Sequence, residues 1–357
     1  MMYTIYVGTY ASSEASGTYR VPFDPELGAL GAAECIYAQK NTKYTAWHDG
    51  YLATLTEQNG KAGVALFDTT VQPPTLLDVR LDEQATACWL GWLDGLLYCA
   101  NYHDGHLLIY EVENRRLRLR RQIFVQAEAG CHQAILQNGR ILLPCLCLDQ
   151  VRIFYAAQET VPAQVLCLPK GSGPRHGVFS PDGAWFYLLS ETSNQLFSYQ
   201  VRGTQLCLRQ VDGLRVDSEA DGPQSAEVRI SPDGLHLYLS IRGTSSLAVF
   251  RLEAHLPVMR PVGYSAYAER EVSAGVLLQC KPSVLPPVGR VGKHSSLCVA
   301  GEDPILRRLC PVAGYLSLIQ QRTLDGTGTE VRIIAKYRIM KKPERPFVRM
   351  LRSAIRR

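Results

Sequence analysis

The feature that most constrains this chain is a repeat of about 45 residues. Four segments read alike: WLGWLDGLLYCANYHDGHLLIYEV from Trp89, HQAILQNGRILLPCLCLDQVRIFY from His132, HGVFSPDGAWFYLLSETSNQLFSYQV from His176, and EVRISPDGLHLYLSIRGTSSLAVFRL from Glu227. A weaker fifth copy, KYTAWHDGYLATLTEQNGKAGVALFD, starts at Lys43. Each holds a short apolar strand, a D-G or N-G turn, an alternating strand, a polar turn and another alternating strand. The turn glycines are Gly50, Gly95, Gly139, Gly183 and Gly234, at spacings of 45, 44, 44 and 51 residues. Such a pair between alternating apolar runs marks a hairpin, because the turn needs positive φ. Trp185, Tyr187 and Leu189 show the strand period, and no amphipathic helix of ordinary length appears over residues 1–256. A unit of this length with three or four strands is the size of one propeller blade, which buries its faces only by stacking on neighbours around an axis. The sequence therefore predicts an all-β fold, a β-propeller.

The repeat has a definite extent. MMYTIYVGTY and GTYRVPFDPELGALG supply a strand pair ahead of the five copies. A seven-bladed ring would need two further copies after Leu252. None is visible near residues 275–345, where VSAGVLLQ is followed by KPSVLPPVGRVGKHSS and, finally, MKKPERPFVRMLRSAIRR. Charge changes at the same place. Residues 257–357 hold 18 of the 38 Lys+Arg but 7 of the 33 Asp+Glu, so residues 1–256 are mildly acidic and the remainder strongly basic. We divide the chain into blades over 1–256 and an atypical, poorly ordered basic region over 257–357. That region is either a genuine appendage or the product of an altered reading frame or truncated gene, which would leave strand edges uncovered. Few aromatics are interleaved with its charges (Tyr337 and Phe347 in the last stretch). A solvated tail is expected, with neither nucleic acid nor membrane as partner.

Several function classes find no support. No apolar stretch of 18 residues is free of charge, and the first ten residues lack a basic n-region and an apolar h-region. No transmembrane helix or signal peptide is expected, and the cytoplasm is the expected compartment. The 11 Cys include no C-x-x-C pair; the nearest approach is Cys145 and Cys147, so they read as reduced, mostly buried thiols. There is no G-x-S-x-G elbow. Gly292-Lys293-His294 lacks the first glycine of a phosphate loop. His103 and His106 in YHDGH suggest no further metal ligand and read as turn residues.

The repeat also allows positions to be compared between blades. Seven residues before each turn glycine stand Lys43, Cys88, His132, His176 and Glu227; one residue earlier stand Thr42, Ala87, Cys131, Arg175 and Ala226. The first strand of a blade lines the central channel, so polar groups at one register should converge near the axis. His132, Arg175, His176 and Glu227 fit that description. A second register, eight residues after the glycine, holds Glu191 and Arg242 in the two best copies. Each can be a functional charge or a solvated turn residue.

The segments YVGTY (Tyr6 to Tyr10), ANYHDG (Ala100 to Gly105), GCH (Gly130 to His132), GSGPRHGVFSPDG (Gly171 to Gly183) and the glutamate of LLSETSNQLFSY resemble the seven-bladed β-propeller lactonase family over about residues 3–255. The resemblance implies a lactone hydrolase without metal or other cofactor, acting on 6-phosphogluconolactone in the oxidative pentose phosphate pathway. It also implies that His132, Arg175, Glu191 and Arg242 serve the chemistry and anion binding. His176, Glu227, His103 and Lys43 complete the candidate set as substrate contacts. A later P-R-x-F strand of the family is replaced by GYSAYAEREVSAGVLLQ. Opening a lactone needs a base to activate water, for which His132 or Glu191 can serve, and donors for the oxyanion and a distal phosphate, which arginines supply. A non-catalytic propeller scaffold, or an inactive remnant of the enzyme, is the alternative. Oligomeric state is left open.

Overall fold

A computed structural model describes residues 3–11, 16–24, 29–155, 160–214, 224–231, 233–242, 246–253, 256–266, 317–321 and 332–337. These residues form six sheets arranged as propeller blades. Five sheets have four antiparallel strands in chain order, and their first strands are Thr45–His48, Trp89–Leu93, Ile135–Gln137, Pro174–Phe179 and Gln224–Ile230. They are the five sequence copies. The remaining sheet is built on the N-terminal strand pair, Tyr3–Thr9 and Thr18–Asp24.

That first sheet also recruits the far end of the chain. Arg332–Tyr337 pairs parallel to Tyr3–Thr9, and Ser317–Gln321 pairs antiparallel to Arg332–Tyr337. The sequence reading did not pick out this pair, because neither run is flanked by an S-P-D-G turn. The rest of the interval 275–345 lies outside the described residues. The fourth strand of the sixth sheet, Leu256–Ala266, runs across the boundary placed at 256/257.

The turn glycines are left-handed, as hairpins require. Asp49 and Gly50, Asp94 and Gly95, and Asn138 and Gly139 all have positive φ, and each pair forms a two-residue turn closed by His48–Tyr51, Leu93–Leu96 or Gln137–Arg140. Both central residues at positive φ define the hairpin turn whose twist matches the strands. The S-P-D-G copies differ: the glycine rather than the aspartate is left-handed there. Ser180 Oγ and Ser231 Oγ instead accept the N–H of Trp185 and His236, each at 2.9 Å.

The core lies between consecutive sheets. Along Trp185–Ser190, Tyr187 and Leu189 pack with Val228, Leu237 and Leu239 of the sixth sheet, whereas Phe186 and Leu188 pack with Leu142, Val151 and Ile153 of the fourth. Alternation thus divides one strand between two apolar interfaces, each large side chain stabilising by about 1.5–3 kcal/mol. Among the described residues no helix is long and apolar enough to cross a membrane, and the one helix is the single turn Leu146–Leu148.

Candidate active site

Two β-bulges build the site. Pro174 lies opposite Ser190 and His176 opposite Leu189, so Arg175 is an extra residue in its strand. In the next blade Ser225 lies opposite Ile241 and Glu227 opposite Ser240, which makes Ala226 the extra residue. A bulge breaks alternation and re-aims a side chain. Arg175 and His176, adjacent in sequence, therefore both join one polar cluster instead of facing opposite sides of the sheet. Arg175 Nη1 donates to the carbonyl of Ala226, locking one bulge onto the other.

The loop ahead of Arg175 is held by backbone contacts. Asp149 accepts the N–H groups of Gly171 and Gly173 at 2.8 Å each. Gly173 has φ +64°, and a Cβ there would lie 2.4 Å from Thr192 Oγ1. This close approach lets the Glu191 N–H donate to the Gly173 carbonyl at 2.8 Å. The G-S-G sequence thus fixes Glu191 beside the strand that carries Arg175.

Glu191 joins two blades through its carboxylate. Oε2 lies 2.6 Å from Arg175 Nε and Oε1 lies 2.5 Å from Arg242 Nη2. The pairing of Glu191 with Arg242 unites the two residues of the second register. Both carboxylate oxygens are engaged by guanidinium groups, which leaves Glu191 poorly placed to take a proton from water.

A second chain of polar groups is buried beside the first. Glu227 Oε1 lies 2.8 Å from Arg229 Nη1, and Oε2 lies 2.9 Å from His176 Nδ1. His176 Nε2 in turn lies 3.0 Å from His132 Nδ1. His176 and Glu227 are each 1 % exposed, and His132 is 6 % exposed. Burial pushes His176 down to about 4; Glu227 opposes this and Arg175 adds to it. Burial favours the neutral form of Glu227, but Arg229, His176 and Arg175 outweigh it and hold the carboxyl at about 2. The pair is therefore a neutral imidazole beside a carboxylate. The contacts of Arg175 and Arg242 with Glu191, and of His176 and Arg229 with Glu227, are close in distance but bent away from hydrogen-bond geometry.

The cluster reaches across the ring. Tyr44, in the segment leading into the second sheet, is wholly buried, and its hydroxyl is pushed well up by burial first and then by the charge of Glu227 in the sixth. Arg229 and Arg175 act on the same hydroxyl. The Tyr102 ring packs edge-on to His132 with centroids 6.3 Å apart, and its hydroxyl lies 2.9 Å from Cys147 Sγ.

Six of the eight candidates are thus brought together: His132, Arg175, His176, Glu191, Glu227 and Arg242. Lys43 is engaged elsewhere, donating to the Thr86 carbonyl at 3.3 Å with its ammonium 5.6 Å over the Tyr10 ring. His103 is more than half exposed and pairs with Glu128 at 2.9 Å, one aromatic ring removed from His132 through Tyr102. Sequence reasoning missed Arg229, Tyr44 and Tyr102. Arg229 was signalled by the strand period, two residues from Glu227, and Tyr102 lies within the ANYHDG segment. Among the described residues no group of three or more His, Cys, Asp or Glu is placed to hold a metal.

The cluster carries three guanidinium groups, Arg175, Arg229 and Arg242, against the carboxylates of Glu191 and Glu227. With His176 neutral, the centre is cationic and suited to an anionic ligand.

Comparison with known proteins agrees with this architecture. An uncharacterised protein of Lactococcus lactis subsp. lactis is 28% identical over 279 residues, 73% of this chain and 82% of the relative. A 6-phosphogluconolactonase of Bacillus subtilis is 23% identical over 295 residues, 76% of this chain and 82% of the relative. A crystal structure of a Lactobacillus plantarum protein superposes with a TM-score of 0.70 at 23% identity, covering 79% of this chain and 87% of that one, and shares its fold. Residues 4–270 match the family described as lactonase, 7-bladed beta-propeller, and the chain belongs to that family.

Proposed function

We propose that the protein hydrolyses a phosphorylated sugar lactone, 6-phosphogluconolactone, to 6-phosphogluconate in the cytosol. The observation that carries this reading is the junction of the Arg175–Glu191–Arg242 chain with the His132–His176–Glu227 chain at one cationic centre. His132 takes a proton from water as the water oxygen attacks the lactone carbonyl. Arg175 faces the oxyanion of the tetrahedral intermediate, where a fixed donor lowers the barrier most. Collapse breaks the bond from the carbonyl carbon to the ring oxygen, which receives the proton back from His132. The product is an open-chain acid that ionises. Arg242 takes the distal phosphate, a role suited to a guanidinium fork. Glu191 holds the two arginines apart at a fixed spacing.

The substrate class rests on the net positive charge of the cluster and on the activity named for the Bacillus relative. The test is the rate of lactone opening by the purified full chain, measured against the spontaneous rate, with 6-phosphogluconolactone and unphosphorylated gluconolactone in parallel. Acceleration of the phosphorylated lactone with a clearly lower KM supports the reading. Equal KM values for the two would remove the phosphate from it. A rate equal to the spontaneous one with both substrates would favour a non-catalytic propeller.

A further inference from the structure

We propose that Glu227 and His176 act as positioning residues: a buried carboxylate–imidazole relay that fixes the tautomer of His132 and stabilises its protonated form, so that His132 Nε2 is the atom that takes the proton. This rests on the lactonase reading of the site and assigns roles within it.

The argument starts from donors and acceptors. Two imidazoles facing each other at 3.0 Å need one N–H and one lone pair at the contact. Which ring donates is decided at the far end of the chain. Glu227 is a carboxylate between Arg229 and His176, so it can only accept. A neutral His176 places its proton on Nδ1, facing Glu227, and presents the Nε2 lone pair to His132. His132 must then carry its proton on Nδ1 and donate it to His176. Its own lone pair is on Nε2. Without Glu227 nothing would select this arrangement, and the opposite tautomer would present an N–H where the base is needed.

Burial determines what the two inner residues can do. His176 and Glu227 are almost wholly covered, whereas His132 is more accessible than either. Direct substrate contact by the inner pair is therefore excluded in this conformation, and their influence runs through His132. When His132 gains a proton, it keeps its donor contact to His176, and the Glu227 charge lies one ring further away. The charged groups around His176 are Glu227, which favours a proton there, and Arg175 and Arg229, which oppose it, while Glu191 acts on the Tyr102 that packs against His132. Cys88 and Tyr44 from the neighbouring segments and the Tyr102 ring complete the surroundings; both hydroxyls are held neutral by burial. The signs of the formal charges therefore give opposite expectations for two variants of one ion pair. Glu227→Gln removes the favourable charge and lowers the pKa of His132. Arg229→Gln removes an opposing charge and raises it.

The experiment uses the full chain with histidines labelled in the ring nitrogens, for wild type, Glu227→Gln, Glu227→Asp and Arg229→Gln. Tautomer and titration of His132 are read by NMR without substrate, and kcat and KM are read against pH. Expected results are His132 protonated at Nδ1 in the wild type and opposite pKa shifts in Glu227→Gln and Arg229→Gln. Glu227→Gln should lower kcat about 10- to 100-fold with KM changed less than about threefold, and Glu227→Asp should recover part of the loss. A structural plug would cost stability without opposite shifts. If Glu227→Gln does not fold, Arg229→Gln carries the test, since that side chain is partly exposed. His132 titration that is unmoved in Arg229→Gln, or moved the same way in both variants, would overturn the relay. Opposite shifts together with no hydrolysis by any form would leave the relay standing and overturn the lactonase reading.

Discussion

Arg242 Nη2 lies 2.5 Å from Glu191 Oε1, and this contact joins the turn of one blade to the strand of the next. The other oxygen of Glu191 holds Arg175, so one carboxylate positions two cations that come from different blades. Removing it takes from Arg175, which is almost fully buried, the carboxylate 2.6 Å from its Nε and leaves the charge of Glu227 as its counter-charge. Glu191→Ala is expected to cost about 3 kcal/mol, and Glu191→Gln less, because the amide still accepts from one guanidinium. Both should lower kcat/KM by about 100-fold. Urea unfolding and lactone hydrolysis on the same preparations check this.

Arg242 and the phosphate give a separate prediction. Loss of a charge-assisted contact costs about 1.5–3 kcal/mol. Arg242→Gln should therefore raise KM for 6-phosphogluconolactone by about 10- to 100-fold and leave KM for unphosphorylated gluconolactone within about threefold. An equal rise for both lactones would assign Arg242 to the lactone ring instead. Parallel steady-state kinetics on the two substrates decide it.

Stability should fall in acid within a defined window. His176 is depressed to about 4 from an ordinary 6.5, so between these values the unfolded chain binds a proton that the folded chain does not. This contribution is complete above about pH 6.5 and is lost as pH falls toward 4. Glu227, held at about 2 against an ordinary 4.5, adds a further loss below pH 4.5. Melting temperature should be flat from pH 8 to 7 and fall steeply below 6.5, and His176→Gln should lack the upper part of that fall. A melting temperature that rises between pH 6.5 and 4.5 would contradict the protonation states assigned to the pair.

Gly173 and Gly203 make a matched pair. Both have φ near +60°, but a Cβ at Gly173 meets Thr192 Oγ1 at 2.4 Å, whereas at Gly203 nothing lies within 4 Å. Gly203→Ala should cost about 1 kcal/mol, the left-handed penalty alone, and leave activity unchanged. Gly173→Ala should cost more and lower kcat/KM by about 10-fold, because Thr192 adjoins Glu191. Thermal melts and kinetics on the two variants separate strain from displacement of the site.

Much of this molecule was legible in its sequence. The D-G, N-G and S-P-D-G turns marked five sheets, because a left-handed glycine between alternating apolar runs has few other uses. The same periodicity aligned His132, His176 and Glu227 at one register and Glu191 with Arg242 at another. Three things were not legible. The bulges at Arg175 and Ala226 break the period of two on which the register argument depends, so the sequence grouped Arg175 with His176 near the axis but carried no sign of the bulge that lets two adjacent residues face one cluster. Lys43 holds the right register yet is captured by the Thr86 carbonyl and the Tyr10 ring, an outcome decided by neighbours distant in sequence. The pairing of Arg332–Tyr337 with Tyr3–Thr9 joins segments more than 300 residues apart, and local turn chemistry carries no trace of it.

The central claim is that His132 is the base for lactone opening, and hydrolysis by His132→Ala tests it most directly. The purified variant should melt near the wild-type temperature, retain binding of 6-phosphogluconate, and open 6-phosphogluconolactone at least about 100-fold more slowly than the wild type, close to the spontaneous rate. A folded His132→Ala protein that hydrolyses the lactone at the wild-type rate would contradict the account.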